Sequence, residues 1–177
     1  IMPSLVGSEM CIRDSERTMC TFLGTAGKIN EKDLDINSIM SSEIVFLEGY
    51  LWDKGEPKSA LDKAIYNSNK VAMSLSDLFC VERHKLDFLD LVKNKLDIIF
   101  ANEQEIMALI DTKNFNDVIT FGKKIGKIFV ITRGEKGSVA INNNGVIECG
   151  AQKDLNIIDL TGAGDLFAAG YLHGYIN

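Results

Sequence analysis

The sequence predicts an α/β protein with three layers, helices on both faces of a mainly parallel central sheet. Three observations point that way. Between residues 42 and 132, short apolar runs alternate with segments whose apolar residues recur at helical spacing. The runs are continuous rather than alternating, the pattern of strands buried on both faces. The turns that carry unusual residue combinations follow directly after those runs, at the carboxyl ends of the strands, where sheets of this kind bind ligands.

The elements follow in chain order. Residues 1–15 share no pattern with the rest and are expected to form a non-native or disordered leader, since they resemble a translated sequencing-adapter remnant and are too polar for a signal-peptide core. Arg17 to Gly24 has β-rich composition and predicts a strand. Glu31 to Leu34 reads as one helical turn, and Ile44-Val45-Phe46-Leu47 as a buried strand. Pro57 opens a helix to about Ser68, with Ala60, Leu61, Ala64 and Ile65 on one face. Val71–Leu75 is the next strand, and Glu82–Lys93 a helix with Leu86, Leu89 and Val92 on one side. Before it, Asp77 reads as a cap and Phe79 and Cys80 as core. Asp97–Ala101 is a strand, Glu103–Ile110 and Asn116–Ile125 are helices, and Lys127–Thr132 is a strand. A hairpin over 138–141 and 146–149 turns at Asn142-Asn143-Asn144-Gly145. Asn156-Ile157-Ile158 predicts a last strand, and a helix begins near Ala163.

Composition narrows the function classes. The 177 residues suffice for one domain with a real core, and 46% of them are apolar. A net charge of −6 without a basic run argues against a nucleic-acid surface. No apolar stretch reaches the ~18 residues of a membrane span. Cys11, Cys20, Cys80 and Cys149 are scattered, which fits reduced thiols in a cytoplasmic protein better than a disulfide frame or zinc site.

The stretch with the most chemistry is Asp159-Leu160-Thr161-Gly162-Ala163-Gly164-Asp165, read as a glycine turn into a helix. Gly162, Ala163 and Gly164 let the backbone approach a ligand, and the first helical N–H groups attract an anion. Asp165 stands beside them as a carboxylate able to take a hydroxyl proton. A simple capped helix start is the alternative. The familiar nucleotide loops do not fit, because Phe167 stands where a dinucleotide fingerprint needs glycine and no Gly-x-x-x-x-Gly-Lys-Ser/Thr occurs. Asn102 and Glu105 have the spacing of a helix capping box, and the same spacing would let them hold magnesium through water. Thr132-Arg133-Gly134-Glu135-Lys136-Gly137 is a glycine turn leaving a strand.

These motifs together resemble the PfkB family of ribokinase-like sugar and nucleoside kinases. Asp159-x-Thr161-Gly162-Ala163-Gly164-Asp165 with small residues at 168–170 is similar to its C-terminal signature, with Leu160 a departure from the usual residue. The resemblance implies a Rossmann-like (ribokinase-like) α/β/α fold with an incomplete lid. It implies an ATP-dependent phosphotransferase in which Asp165 is the general base and Gly162, Ala163 and Gly164 form the anion hole. It places Thr132, Gly134, Gly137, Asp159 and Thr161 in the ATP region, and Asn102 and Glu105 at Mg2+. Glu16–Met19 and Ser76–His84 resemble the adenosine-kinase-like branch, which implies a phosphate contact for Arg17. The implied acceptor is a nucleoside such as adenosine; a sugar (ribokinase, fructokinase or ketodeoxygluconate kinase type) and a non-catalytic nucleotide-binding role stay open. The chain is expected to be an internal fragment, inactive by itself, with residues 16–177 in the kinase domain: a lid-associated strand over 16–30 and an α/β core over 42–177. The motifs of the core are expected at one edge of the sheet.

Overall fold

The protein is described by a computed structural model, which covers residues 24–52, 55–155 and 157–177 in full and the backbone of 7–13 and 16–22. Two compact units form. One is Lys28–Ala151; the other gathers the described residues up to Gly27 and from Gln152 onward.

The first unit is built on a six-stranded sheet: β3 (Val45–Glu48), β4 (Val71–Ser74), β5 (Ile98–Asn102), β6 (Ile128–Thr132), β7 (Ser138–Asn142) and β8 (Gly145–Cys149), in that order. The pairs from β3 to β6 are parallel, and β6–β7–β8 is an antiparallel meander. This is the mainly parallel three-layer arrangement expected. Its cause is visible in the burial. Ala72, Met73, Ile98, Ile99, Phe129 and Ile131 are fully or almost fully buried, on both faces of the sheet. Burying the larger of these, Met73, Ile98, Ile99, Phe129 and Ile131, contributes about 1.5–3 kcal/mol each.

Among the described residues, five α-helices belong to this unit: α1 (Ile36–Ser41), α2 (Glu56–Asn67), α3 (Leu78–Asn94), α4 (Glu103–Leu109) and α5 (Phe115–Ile125). α2 matches expectation: Pro57 is in its first turn and Ala60, Leu61 and Ala64 are buried. α1 corrects the reading of Glu31–Leu34 as helix. There the Asp33 carboxylate accepts from the Asn30 N–H at 2.9 Å, closing a turn that competes with helix. Asp35, which accepts from the N–H groups of Asn37 and Ser38, starts the helix two residues later.

α3 carries two corrections. It begins at Leu78, four residues before the expected start, because Asp77 caps it by accepting from the Cys80 N–H at 2.7 Å. Its buried face is Cys80, Val81, Phe88, Leu91 and Val92, whereas Leu86 is 82% exposed and Phe79 is 74% exposed. The helical angles break at His84 (φ −115°, ψ 22°), but the wrong face has another cause. Leu86 stands two residues before buried Phe88, on the far side of a helix with 3.6 residues per turn, so a strict three-residue spacing drifts off the buried stripe. Cys80 is in the core as expected, and burial pushes its thiol up to about 11, so it is inert.

The Asn142-to-Gly145 turn forms as read, with the Asn142 side-chain oxygen accepting from the N–H groups of Asn144 and Gly145. Trp52, 2% exposed, is anchored by its indole N–H on Asp87 at 3.0 Å, and Lys58 reaches the same carboxylate at 2.6 Å.

In the second unit, β1 (Gly7–Arg13) pairs antiparallel with β2 (Glu16–Phe22), from Gly7↔Phe22 to Arg13↔Glu16. The sequence pattern places residues 7–13 in the leader. They form strand because a seven-residue ladder gives each backbone a partner, which composition alone did not reveal. α6 (Ala163–Ile176) begins at the expected residue. The expected strand before it is absent at residues 157–158, where Ile157 is 51% and Ile158 78% exposed. Apolar composition there does not correspond to burial; Asn156, the first residue of the expected strand, lies outside the described residues.

Candidate functional site

In the first unit the expected site residues gather at the carboxyl edge of the parallel strands. Asn102 ends β5, Thr132 ends β6, and the two are register partners across the parallel pair. The turns that follow them therefore leave the sheet side by side.

After β5, Asn102 and Glu105 make both halves of a capping box. The Asn102 side-chain oxygen accepts from the Glu105 N–H at 2.8 Å. Glu105 accepts in return from the Asn102 N–H at 2.9 Å and from its side-chain amide at 2.6 Å. The capping reading is thus present in the structure. Yet Glu105 is only 5% exposed, and burial, followed by the nearby charges of Asp77 and Glu48, pushes its carboxyl above the usual range. The Asn102 N–H pulls the other way. A buried acid with further carboxylates close by is a place where positive charge is favoured. Asp77 and Glu48 are members of this environment that the sequence reading missed; they end or follow β4 and β3, and only the parallel register brings them to Glu105. Among the described residues, no group of three His, Cys, Asp or Glu side chains is arranged to enclose a metal ion. Direct binding by a full protein cage is therefore unsupported, while contact through water with the remaining lone pairs of Glu105 and Asn102 fits a cation that keeps its hydration shell.

After β6, the turn 132–137 closes on itself. The Arg133 N–H donates to the Gly137 carbonyl at 2.8 Å and the Gly137 N–H to the Gly134 carbonyl at 2.9 Å. Its two glycines have different reasons to be there. Gly137 has φ 88°, and a Cβ on it would lie 2.0 Å from the Cys149 carbonyl oxygen, so chain packing demands glycine. Gly134 has φ 57° with no atom within 4 Å of where a Cβ would stand, so its backbone is open to a ligand. Glu103, next to Asn102, bonds Arg133 at 3.0 Å and Lys136 at 3.3 Å, and these cations hold its carboxyl below the usual range, Arg133 foremost. Sequence reasoning missed this link.

In the second unit, Asp159 accepts from both the N–H (2.8 Å) and the hydroxyl (2.7 Å) of Thr161, which folds the chain into the turn before α6. Gly162 caps α6 in the left-handed region, φ 73°, with no side-chain cap. The Ala163 N–H is taken by the Leu160 carbonyl at 3.2 Å, and that of Leu166 by the Gly162 carbonyl at 2.9 Å. The N–H groups of Gly164 and Asp165 donate to no carbonyl outside the helix among the described residues. Of the three amides expected in an anion hole, Ala163's is thus committed to the turn. The Asp165 carboxylate stands over the turn, its Oδ2 3.8 Å from where a Cβ on Gly162 would lie, and is exposed. An anion-attracting helix start of fourteen residues and an available carboxylate share one turn. Arg17 lies in β2, and its side chain is outside the described residues.

The structure superposes on the adenosine kinase from Sinorhizobium meliloti with a TM-score of 0.90 and 36% identity, over 95% of this chain and 53% of that one. A cytidine kinase from Thermococcus kodakarensis is 37% identical over 92 residues, 50% of this chain and 33% of that protein. A 5-dehydro-2-deoxygluconokinase from Geobacillus kaustophilus is 27% identical over 162 residues, 85% of this chain and 48% of that protein. The chain thus spans about half the length, or less, of these relatives. Residues 6–177 match the pfkB family of carbohydrate kinases, and the chain belongs to that family.

Proposed function

We propose that this chain serves an ATP-dependent phosphotransferase that moves the γ-phosphoryl group to a hydroxyl of a nucleoside or sugar, with adenosine as the favoured acceptor. The observation that carries the reading is the start of α6: left-handed Gly162, N–H groups of Gly164 and Asp165 outside the local turn bonding, and the Asp165 carboxylate over the same turn.

The chemistry follows from those groups. In phosphoryl transfer little covalent work falls to the protein, which positions the reactants and stabilises charge. The Gly164 and Asp165 amides hold the developing negative charge, and Asp165 takes the proton of the attacking hydroxyl. The open backbone at Gly134, with Thr132 beside it, receives the phosphates and ribose of ATP. Gly137 secures the shape of that turn, and Asp159 and Thr161 the shape of the turn before α6. Asn102 and Glu105 would hold magnesium through water, where the ion would supply neutralisation of phosphate charge. Arg17 is assigned a phosphate contact on the strength of the motif around it.

Two structures superpose at TM-score 0.90, one named an adenosine kinase and the other a probable sugar kinase from Rhizobium etli, so the preference for a nucleoside rests on the motifs at Glu16–Met19 and Ser76–His84. The similarity to a 5-dehydro-2-deoxygluconokinase over 85% of this chain keeps a sugar-type acceptor as the second reading. The test is a panel of adenosine, cytidine, ribose, fructose and sugar acids with Mg2+ and ATP, using the gene's full-length product and detecting phosphorylated product directly. A phosphorylated nucleoside is the expected result. Phosphorylation of sugars alone supports the second reading, and ATP binding without any transfer contradicts both.

A further inference from the structure

The link between Glu103 and the 132–137 turn joins two parts of the proposed site that are about thirty residues apart in sequence. Asn102 and Thr132 face each other across β5 and β6, so the two turns emerge next to each other but, among the described residues, share no backbone hydrogen bond beyond the strands. What ties them is one carboxylate. Glu103 Oε1 accepts from Arg133 Nη2 at 3.0 Å, and Oε2 from Lys136 Nζ at 3.3 Å. The side chains of Glu103 and Arg133 are 21% and 18% exposed, so this pair is screened less than a surface pair.

Arg133 is fixed on its other face as well. Its guanidinium lies 3.7 Å from the centre of the Phe115 ring, at the start of α5, which combines stacking with cation–π attraction. Held between Glu103 and Phe115, the arginine is anchored to the protein through Nη2 and its guanidinium face, while its buried Nε has no partner among the described residues. Lys136 is 64% exposed and adds the second, looser arm.

We propose that Glu103 is a positioning residue, which locks the 132–137 turn to the first turn of α4 through Arg133 and thereby sets the spacing between Asn102–Glu105 and Thr132–Gly134. The inference rests on the reading of those residues as an ATP and magnesium site. Glu103→Gln keeps the side-chain length and one acceptor but removes the charge. Without the charge-assisted pair the turn samples more arrangements, and ATP binding carries the cost of ordering it. Loss of affinity with little loss of rate is the expected signature, because Glu103 and Arg133 do not themselves act on the transferred group.

The experiment compares the full-length product with Glu103→Gln, Arg133→Gln and the double variant, measuring MgATP affinity by calorimetry beside kcat and KM. Each single variant is expected to weaken MgATP binding about tenfold and to raise the KM for ATP in parallel, with kcat within about threefold. The double variant is expected to be no worse than the weaker single, because both remove the same link. A circular dichroism spectrum and melting curve accompany each protein. A lowered melting temperature with unchanged MgATP affinity and KM would make the link merely structural and overturn the proposal. Strictly additive losses would overturn it too. If unsubstituted protein fails to bind ATP at all, the site assignment itself falls; if it binds ATP and Glu103→Gln binds equally well, only the positioning role falls.

Discussion

Gly137 and Gly134 occupy the same turn, and replacing each by alanine should separate a structural from a ligand-facing glycine. At Gly137 the added methyl would stand 2.0 Å from the Cys149 carbonyl oxygen and 2.8 Å from the Ala151 nitrogen, both backbone atoms that cannot rotate aside. Relief requires the turn or the chain after β8 to move, which endangers the Arg133-to-Gly137 hydrogen bond. The left-handed φ of 88° adds strain, roughly 1–2 kcal/mol for a residue with a Cβ. Overpacking costs a further ~1–3 kcal/mol, giving about 2–5 kcal/mol in all. At Gly134 only the conformational term applies, because nothing lies within 4 Å, so the loss is about 1–2 kcal/mol. Urea denaturation followed by tryptophan fluorescence reads both, since Trp52 is buried in the same unit. For a chain of this length the difference corresponds to several degrees in Tm, at ~2–4 °C per kcal/mol. MgATP affinity should fall for Gly134→Ala out of proportion to its small stability loss. Equal stability losses, or a larger one at Gly134, would refute the assignment.

Two further perturbations test other parts of the account. Asp87→Ala leaves the buried Trp52 indole N–H without its acceptor, and should destabilise by about 1–3 kcal/mol, whereas Asp87→Asn keeps an acceptor and should cost less. Lys58 and then the Trp52 indole hold the Asp87 carboxyl below its usual range. Its contribution is therefore present above the unfolded-state value near ~4 and disappears as pH falls through the folded value. The acid limb of the stability curve should flatten in Asp87→Asn, as measured by denaturation at stepped pH. Glu105→Gln offers one acceptor where two N–H donors converge, so it should cost about 1–2 kcal/mol of stability. Its kinase rate should recover partly at high Mg2+, and a defect insensitive to Mg2+ would confine Glu105 to capping.

Much of the first unit was legible because burial writes itself into the sequence. β4, β5 and β6 are runs of residues that the sheet hides on both faces, so composition and position agree. Failures came where another force decides. Leu86 points outward because it stands two residues from Phe88, opposite the buried face of a regular helix, although its three-residue spacing to Leu89 and Val92 looked regular. Ile157 and Ile158 are apolar but exposed, so hydrophobicity misled. For the site, the motif residues were legible one turn at a time. What sequence could not supply was their tertiary setting: Glu48 and Asp77 charging the surroundings of Glu105, Glu103 joining two turns, and the commitment of the Ala163 amide to Leu160. Nor could spacing distinguish Gly137 from Gly134, because the clash is with a strand end twelve residues away.

The central claim is that Asp165 is the base of a phosphoryl transfer. Its most direct test is Asp165→Asn in the full-length product, with kcat measured on the best acceptor and ATP affinity measured separately. The change is nearly isosteric, so the left-handed start at Gly162 and the amides of α6 should persist. A fall in kcat of at least ~100-fold is expected, with ATP affinity little altered and a residual rate from the remaining site. Near-normal kcat in Asp165→Asn would contradict the account and reduce the glycine turn to the start of a helix.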